Sequence, residues 1–327
     1  MTSRYVSLFL ASLALGAGCS DERGADEPRP ARGPDAIALP GENFYPEGVA
    51  VASDGTLYVG SLGTGRIMSV RPGAGVADEF VPEGTIAEAS GMAVDEALGL
   101  LWVCDSGLTS RAPTVVGVAR ADGRVAVRHA FPEGAGLCND LALDGAGNLY
   151  ATDSFLPRVV RIAAESRLQA GSARAWATDA AWAVGPGQFG LNGITPGDGG
   201  LYVAHTQGNA VFHVAIGPDG APGAVRRVAL DRVPNGLDGL EAAPNGGLLF
   251  VEGYANRLTH ITLQNDGMGR LQVVADGLAG PTSFALFGGS AWIAEGQLSF
   301  LFDPSSGEPA LPFRVVRVGL EGGAGRP

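Results

Sequence analysis

The sequence contains no lysine, because all 22 basic residues of the 327-residue chain are arginine. This absence excludes Schiff-base chemistry on a lysine amine and a P-loop, whose lysine contacts nucleotide phosphates. Basic residues are also outnumbered, since 34 acidic residues give a formal net charge of −12. We therefore expect no nucleic-acid partner, because the phosphate backbone repels so acidic a chain.

Long apolar runs are also missing, and the one near the start of the chain is too short to span a bilayer. It covers Val6–Ala17, follows Arg4 and leads to Cys19, as in a bacterial lipoprotein signal. We predict a lipoprotein-type signal peptide over residues 1–18, lipidation of Cys19 and a flexible tether over 19–34, with simple secretion as the alternative. Either way the domain is extracytoplasmic, and it contacts membrane only through a lipid anchor.

Cysteine is scarce, with three residues in the chain. Besides Cys19, the sequence has Cys104 and Cys138. In an oxidising compartment these two could pair, but their spacing fits two small buried thiols equally well. The sequence leaves both possibilities open.

Helical periodicity is absent as well, whereas 51 glycines and 21 prolines favour turns between short strands. Six related segments begin at Tyr45, Ala89, Gly136, Gly190, Gly236 and Gly280. Each has a short strand, a turn rich in Gly, Asp or Asn, a strand of the "LYV" type, a third alternating strand and a more polar fourth strand. A period of roughly forty to fifty residues is typical of propeller blades. We therefore predict an all-β fold over residues 35–320, a six-bladed β-propeller with four-stranded antiparallel blades, and a C-terminal tail over 321–327.

The first strand of each propeller blade lines the central channel. Alignment of the repeats places one oxygen-bearing side chain per blade at the same end of that channel: Glu47, Ser90, Asn139, Asn192, Asp238 and Thr282. Carboxylate and amide oxygens without His or Cys suit Ca²⁺ better than Zn²⁺, and Mg²⁺ prefers to keep its own waters. The alternative is that these residues only cap turns or fill the channel with hydrogen bonds.

A second set of polar residues ends the second strand of each blade: Ser61, Asp105, Asp153, His205, Glu252 and Glu295. They could orient the residues of the first set or contact a substrate, or they could be polar only because the strands emerge into loops there. His205 is the imidazole nearest the predicted mouth, so it is the candidate for proton transfer outside the cation ligands.

Four short motifs carry a family resemblance: "PEG" at Pro46–Gly48, "CND" at Cys138–Asp140, "NG" at Asn192–Gly193 and "LDG" at Leu237–Gly239. With them the chain resembles the calcium-dependent propellers of the senescence-marker-protein/gluconolactonase family, which includes regucalcin, and the related diisopropylfluorophosphatases. The resemblance implies that Glu47, Asn139, Asn192 and Asp238 bind a catalytic divalent cation. These are four of the residues that the alignment of repeats selects.

Two positions depart from the family pattern. Leu137 stands where the gluconolactonase-like animal members have an arginine that contacts substrate, so a sugar lactone is not implied. Ala285 stands where some phosphatase-like members have a histidine for a second, structural ion. We therefore expect one ion.

The expected function is an exported calcium-dependent hydrolase, a monomer that acts on small-molecule lactones or other esters. The cation, Ca²⁺ or another divalent ion, would act as a Lewis acid, Asp238 as base or nucleophile, and Asp140 as a neighbour that tunes the site. Loops Ser106–Thr114 and Ala180–Leu191 would cover the mouth. The second contains Trp182, Phe189 and several glycines, which suits a mobile apolar lid but equally a packed surface loop. One alternative is a non-catalytic propeller for binding or scaffolding with a structural ion. Another is a strictosidine-synthase-like condensing enzyme with Glu252 or Glu295 as the base.

Overall fold

The computed structural model describes residues 35–320. The predicted signal peptide (1–18), the lipidation site Cys19, the tether (19–34) and the tail (321–327) lie outside the described residues. Within the described range, no helix combines the length and apolarity needed to cross a bilayer.

A short strand, β1 (Ala36–Ala38), precedes the first repeat, and each of the first three blades then uses four consecutive antiparallel strands. Blade 1 consists of β2 (Pro46–Val51), β3 (Leu57–Ser61), β4 (Ile67–Val70) and β5 (Asp78–Val81). Blade 2 consists of β6 (Ala89–Asp95), β7 (Leu100–Asp105), β8 (Thr114–Ala119) and β9 (Val125–Ala130). Blade 3 consists of β10 (Cys138–Leu143), β11 (Leu149–Asp153), β12 (Arg158–Ile162) and β13 (Arg174–Thr178).

The last three blades show the same up-and-down order with two additions. Blade 4 consists of β14 (Leu191–Gly197), β15 (Gly200–His205), β16 (Ala210–Ile216) and β17 (Pro222–Arg227). Blade 5 adds β18 (Ala229–Leu230), parallel to its outer strand, to β19 (Leu237–Ala242), β20 (Leu248–Glu252), β21 (Arg257–Leu263) and β22 (Met268–Asp276). Blade 6 consists of β23 (Pro281–Phe287), β24 (Ser290–Glu295), β25 (Arg314–Gly319) and the N-terminal β1.

Helical segments in residues 35–320 are short. One α-helical turn, α1 (Leu298–Phe302), lies between β24 and β25. The 3-10 turns are Pro132–Gly134, Ala164–Ser166, Ala180–Trp182, Gly253–Ala255 and Pro304–Ser306.

The six sheets form a closed ring. Each first strand contacts the first strand of the next blade, and β23 of blade 6 contacts β2 of blade 1. The strand before the first repeat completes blade 6, where Ile37 of β1 pairs with Val315 of β25. This pairing joins the two ends of the propeller and covers an edge that would otherwise be exposed. The prediction of a six-bladed propeller is confirmed.

The cores lie between neighbouring blades, where the alternating apolar residues of one sheet pack on those of the next. Between blades 2 and 3, for example, the fully buried Trp102 packs with Leu149 and Val160. In the same cluster Cys104 of β7 and Cys138 of β10 form a disulfide, with a Cα–Cα distance of 5.4 Å. Of the two possibilities left open by the sequence, the structure has the disulfide, and it links two blades directly beside Asn139.

Candidate active site

The six polar residues selected by the repeats occupy the same structural position, a β-bulge in the first strand of each blade. In blade 1 the register with the second strand shifts between Pro46 and Val49, which leaves Glu47 and Gly48 in the bulge. The same shift recurs in the other five first strands. A bulge re-aims the side chain it contains, and here it directs one polar side chain per blade toward the axis.

The second bulge residue explains the glycine of the motifs. It is Gly48, Gly91, Gly193 and Gly239 in four blades. A Cβ on Gly239 would lie 2.8 Å from Ser283 Cα in the next blade, and one on Gly48 would lie 3.2 Å from Gly91 Cα. At these four positions neighbouring blades therefore approach so closely that a side chain would meet the next blade's backbone, which favours glycine.

The polar bulge residues share one cavity. It has a volume of ≈ 360 Å³, within the range of small-molecule sites, and all six of them line it: Glu47, Ser90, Asn139, Asn192, Asp238 and Thr282. None of the described residues that line this cavity is arginine or histidine, whereas Glu47, Asp238 and Asp303 are acidic.

The two hydroxyl residues of this set bind to neighbouring blades. Ser90 Oγ donates to the carbonyl of Cys138 at 3.0 Å, and Thr282 Oγ1 donates to the carbonyl of Glu47 at 3.0 Å. Their oxygens are thus engaged in joining blades 2 to 3 and 6 to 1. Asn192 is fixed in another way, since its Nδ2 donates to Thr206 Oγ1 at 3.0 Å.

The two carboxylates of the set are destabilised in their charged form. Burial raises the pKa of Asp238 to about 8, with a further rise from the charge of Asp140 and a partial reduction through the Asn192 side chain. Burial raises the pKa of Glu47 well above its ordinary value, and the charges of Asp238 and Asp140 add to the rise. Glu47 Oε2 is moreover buried without a hydrogen-bond partner among the described residues. Two like charges, one on the buried Glu47 with an unpaired oxygen and one on the half-buried Asp238, are a costly arrangement unless a cation or protons neutralise them.

A hard divalent cation fits these residues. Glu47 and Asp238 offer carboxylate oxygens and Asn139 and Asn192 offer amide oxygens, the donor chemistry that Ca²⁺ prefers. No group of three or more His, Cys, Asp or Glu side chains in residues 35–320 is placed to bind a metal. The candidate set contains two acids, so it depends on the two asparagines for further oxygen ligands.

The polar residues at the ends of the second strands do not line the cavity. Most of them hydrogen bond to the segment that leads into a first strand. Asp153 accepts from Leu137 N at 2.9 Å, Glu252 from Asn235 N at 2.8 Å, and Glu295 from Ala279 N at 2.8 Å. Asp105 accepts from Glu88 N at 3.2 Å, and Ser61 Oγ donates to Phe44 O. These contacts place the set behind the cavity, where it orients the bulges.

His205 does not line the cavity, although its neighbour Thr206 does. It is 3% exposed, its Nδ1 accepts from Gly208 N at 2.8 Å, and its Nε2 lies 3.2 Å from Trp182 O. Burial lowers the pKa of this imidazole, an effect that the contact with Trp182 O partly offsets. Its placement gives no support to the predicted proton-transfer role.

Asp140 occupies the bulge position that holds glycine in four other blades. Its carboxylate accepts from Leu141 N at 2.8 Å and from Ile194 N of blade 4 at 3.1 Å. Burial raises its pKa to about 7, although these two hydrogen bonds lower it in part. Asp140 therefore joins blades 3 and 4 beside Asn139 and does not line the cavity.

The structure adds residues that the sequence did not single out. The loops predicted to cover the mouth contribute Leu108 and Phe189, but Trp182 is buried at 1% exposure and packs on Phe212 of the core. Leu298 and Phe302 of α1 also line the cavity. The short run "LSFLF" carries too little periodicity to identify such a turn.

A further acid, Glu241, lines the opposite opening of the channel, where Ala285 also lies. Burial raises the pKa of Glu241 to about 8, the charge of Asp140 adds to the rise, and a hydrogen bond from Thr195 offsets part of it. Glu241 stands two residues after the "LDG" motif, and the strand alternation could have located it on the channel side.

Comparisons with known proteins agree with the fold. The family model described as "Strictosidine synthase-like, N-terminal" matches residues 32–70, a segment that includes most of blade 1. No curated protein sequence gives a significant match.

Among solved structures, a gluconolactonase from Xanthomonas campestris is 18% identical, with 86% of this chain and 89% of that chain covered and a TM-score of 0.62. Luciferin-regenerating enzyme is 17% identical, with 89% and 96% covered and a TM-score of 0.64. Virginiamycin B lyase from Staphylococcus aureus is 14% identical, with 87% and 98% covered and a TM-score of 0.56. At these identities the likeness concerns the fold, and the chain is a six-bladed β-propeller like those of gluconolactonase and luciferin-regenerating enzyme.

Proposed function

We propose that the protein is an exported, calcium-dependent hydrolase of lactones or other esters. One observation carries the proposal: Glu47, Asn139, Asn192 and Asp238 line one cavity, and no residue within 35–320 that lines it is basic. Such a cavity repels anions and attracts a hard cation. The fold neighbours include a gluconolactonase and a lyase, which supports an enzyme over a scaffold.

The chain's own residues have distinct roles in this proposal. Glu47, Asn139, Asn192 and Asp238 would hold the cation. When bound, the cation supplies Lewis-acid polarisation of the substrate carbonyl and stabilises the developing oxyanion.

Asp238 faces the cavity and is half-buried. From this position it accepts the proton of the attacking water, or it attacks the carbonyl itself. Asp140 and Asp153 hold the backbone next to Asn139 and keep its amide aimed at the site.

The experiment is hydrolysis of a panel of small lactones and aryl esters by the full chain, with calcium and with chelator. Wild type is compared with Asp238→Asn and with Asp122→Asn, an exposed aspartate in the turn between β8 and β9. Turnover that requires calcium, that falls at least about a hundredfold in Asp238→Asn and that persists in Asp122→Asn supports the proposal, since such losses are typical when a reacting group is removed.

Two other results would point elsewhere. Calcium binding without turnover on any member of the panel would favour the scaffold alternative. Turnover that is insensitive to chelator and to Asp238→Asn would mean that the reacting groups lie outside this set.

A further inference from the structure

The lining of the cavity divides into a polar bottom and an apolar wall. The six bulge residues form the bottom, whereas the wall contains six large apolar residues: Leu62, Leu108, Leu137, Phe189, Leu298 and Phe302. Polar residues interrupt the wall beside α1, where Ser299, Asp303 and Ser306 also line the cavity. A cavity of this kind binds a molecule with a polar group at one end and an apolar body at the other.

Two aromatic residues of the wall meet across the mouth. Phe302 follows the second strand of blade 6, and Phe189 precedes the first strand of blade 4, so they come from blades that are not neighbours. Their ring centroids are 5.5 Å apart with an interplanar angle of 32°. Phe155 of blade 3 continues this contact at 5.7 Å from Phe189, and the Arg111 guanidinium lies 5.7 Å from the Phe155 ring.

This aromatic wall is only partly buried in the protein. Phe302 is 47% exposed and Phe189 and Leu298 are half-buried. Their exposed faces border the cavity, so a ligand that covers them removes apolar surface from water, which is favourable in proportion to the area covered.

The wall is held in place by specific hydrogen bonds. Gln297, the residue before α1, exchanges two hydrogen bonds with the backbone of Ala310, at 3.0 and 2.8 Å. On another side, the buried Glu88 carboxylate accepts from Leu108 N at 2.6 Å and from Thr109 N at 2.8 Å. Because these segments are fixed before a ligand arrives, less ordering entropy opposes binding.

From these observations we infer that the substrate carries an alkyl or aryl group, which binds against Phe189, Phe302 and Leu298 while its ester or lactone carbonyl faces Glu47 and Asp238. The inference names the substrate class of the proposed function and rests on it. Phe302 and Phe189 are then specificity-determining residues, and the reaction that supplies the substrate is one that forms an ester or a lactone bearing an apolar substituent.

The test uses ligands that cannot be hydrolysed, so that it reads binding apart from catalysis. A series of 2-alkylcyclopentanones, from ethyl to hexyl, presents a ring carbonyl with a growing apolar chain. Their dissociation constants are measured by calorimetry on the full chain with calcium and with chelator. We expect an approximately fourfold tightening per methylene, the value for burial of one CH₂ group.

Phe302→Ser and Phe189→Ser should each flatten this dependence and weaken binding of the hexyl ligand by roughly tenfold, as loss of one ring contact with the chain implies. Phe302→Leu should keep most of the wild-type affinity for the hexyl ligand, because leucine is also apolar. Phe287→Ser is the matched control, because Phe287 is 40% exposed and lies at the turn between β23 and β24, outside the lining of the cavity. Circular dichroism and urea unfolding of each variant identify any that fails to fold.

The inference would be overturned if the dissociation constants of wild type did not depend on chain length. It would also be overturned if Phe287→Ser reduced this dependence as much as Phe302→Ser does. Failure of the proposed function looks different: the cyclopentanones would bind with the expected chain-length dependence, while no lactone or ester would turn over. In the opposite combination, the protein would hydrolyse short polar lactones, and longer alkyl chains would not increase affinity. That result would support the proposed hydrolase and contradict the inference of an apolar substrate.

Discussion

The carboxylate of Asp153 accepts a hydrogen bond from the backbone N–H of Leu137 at 2.9 Å, two residues before Asn139. The same carboxylate pairs with Arg158 at 2.9 Å, and the two side chains are 0% and 7% exposed. A buried acid at the end of a second strand thus fixes the approach to a bulge that bears a candidate ligand. This contact links the stability of blade 3 to the geometry of the site.

Replacement of Asp153 should therefore be strongly destabilising. In Asp153→Ala the buried Arg158 loses its nearest carboxylate and keeps the more distant, exposed Glu133 at 3.8 Å, and removal of one member of a buried pair costs about 3–5 kcal/mol. Urea denaturation measures the change in the free energy of unfolding. The matched control is Asp78→Ala, because the side chains of Asp78 and Arg71 are 59% and 78% exposed and such a pair contributes about 0–1 kcal/mol. An equal decrease in the free energy of unfolding in the two variants would contradict the stabilising role assigned to the buried Asp153–Arg158 pair.

The hydroxyl residues of the bulges should behave differently from the amides. Ser90→Ala removes the hydrogen bond to Cys138 O, so it should lower the free energy of unfolding by about 0.5–1.5 kcal/mol. Its loss of calcium affinity should be much smaller than that of Asn139→Ala. Calorimetric titration with calcium compares the two variants. If Ser90→Ala weakens calcium binding as much as Asn139→Ala does, the serine is a ligand rather than a contact between blades.

The disulfide should stabilise the propeller. It joins Cys104 and Cys138 across 34 positions of sequence and links blades 2 and 3. In the double variant Cys104→Ser/Cys138→Ser the unfolded chain regains the freedom of that loop, and typical losses are about 2–4 kcal/mol. Urea denaturation of both proteins, without reductant, measures the difference. Mass spectrometry after thiol alkylation verifies that the wild-type bond is formed. An unchanged unfolding midpoint would show that the bond contributes nothing to stability.

Glu252 should support the fold down to low pH. Burial by itself would raise its pKa, but hydrogen bonds from Arg232, Arg257, Thr259 and the Asn235 N–H lower it to about 2. This lies below the ordinary glutamate value of about 4.3, so the stabilisation is complete above that pH and is lost as the pH falls toward 2. Chemical denaturation between pH 7 and 3 should show wild type losing more stability than Glu252→Gln. If the free energy of unfolding changed with pH in the same way in both proteins, Glu252 would have the same pKa in the folded and the unfolded chain.

The repeats of the sequence predicted the six blades because each repeat places its turns and apolar residues at the same offsets. They also placed Glu47, Asn139, Asn192 and Asp238 at equivalent positions, and the structure brings these residues into one cavity. Equivalence alone could not separate them from Ser90 and Thr282. That distinction depends on which carbonyl of the neighbouring blade each hydroxyl reaches, and this is set by packing between sheets.

Other structural features could not be predicted from the sequence, because they also depend on packing between distant segments. The pairing of β1 with β25 joins segments at opposite ends of the chain, and three residues carry too little pattern to indicate it. The contact of Phe302 with Phe189 depends on where α1 crosses the mouth. The loop Ala180–Leu191 suited either a mobile lid or a packed surface loop, and Trp182 follows the second possibility, since its large apolar side chain is buried between blades 3 and 4.

The central claim is that Glu47, Asn139, Asn192 and Asp238 together bind one divalent cation. Calorimetric titration of the metal-stripped full chain with Ca²⁺ tests it most directly, with Glu47→Gln and Asp238→Asn beside wild type and Asp122→Asn as control. We expect one calcium per chain in wild type and in the control, with affinity at least about tenfold weaker in each site variant, because a carboxylate ligand is replaced by a neutral one. Calcium binding of equal strength in all four proteins, or no binding in wild type, would contradict the account.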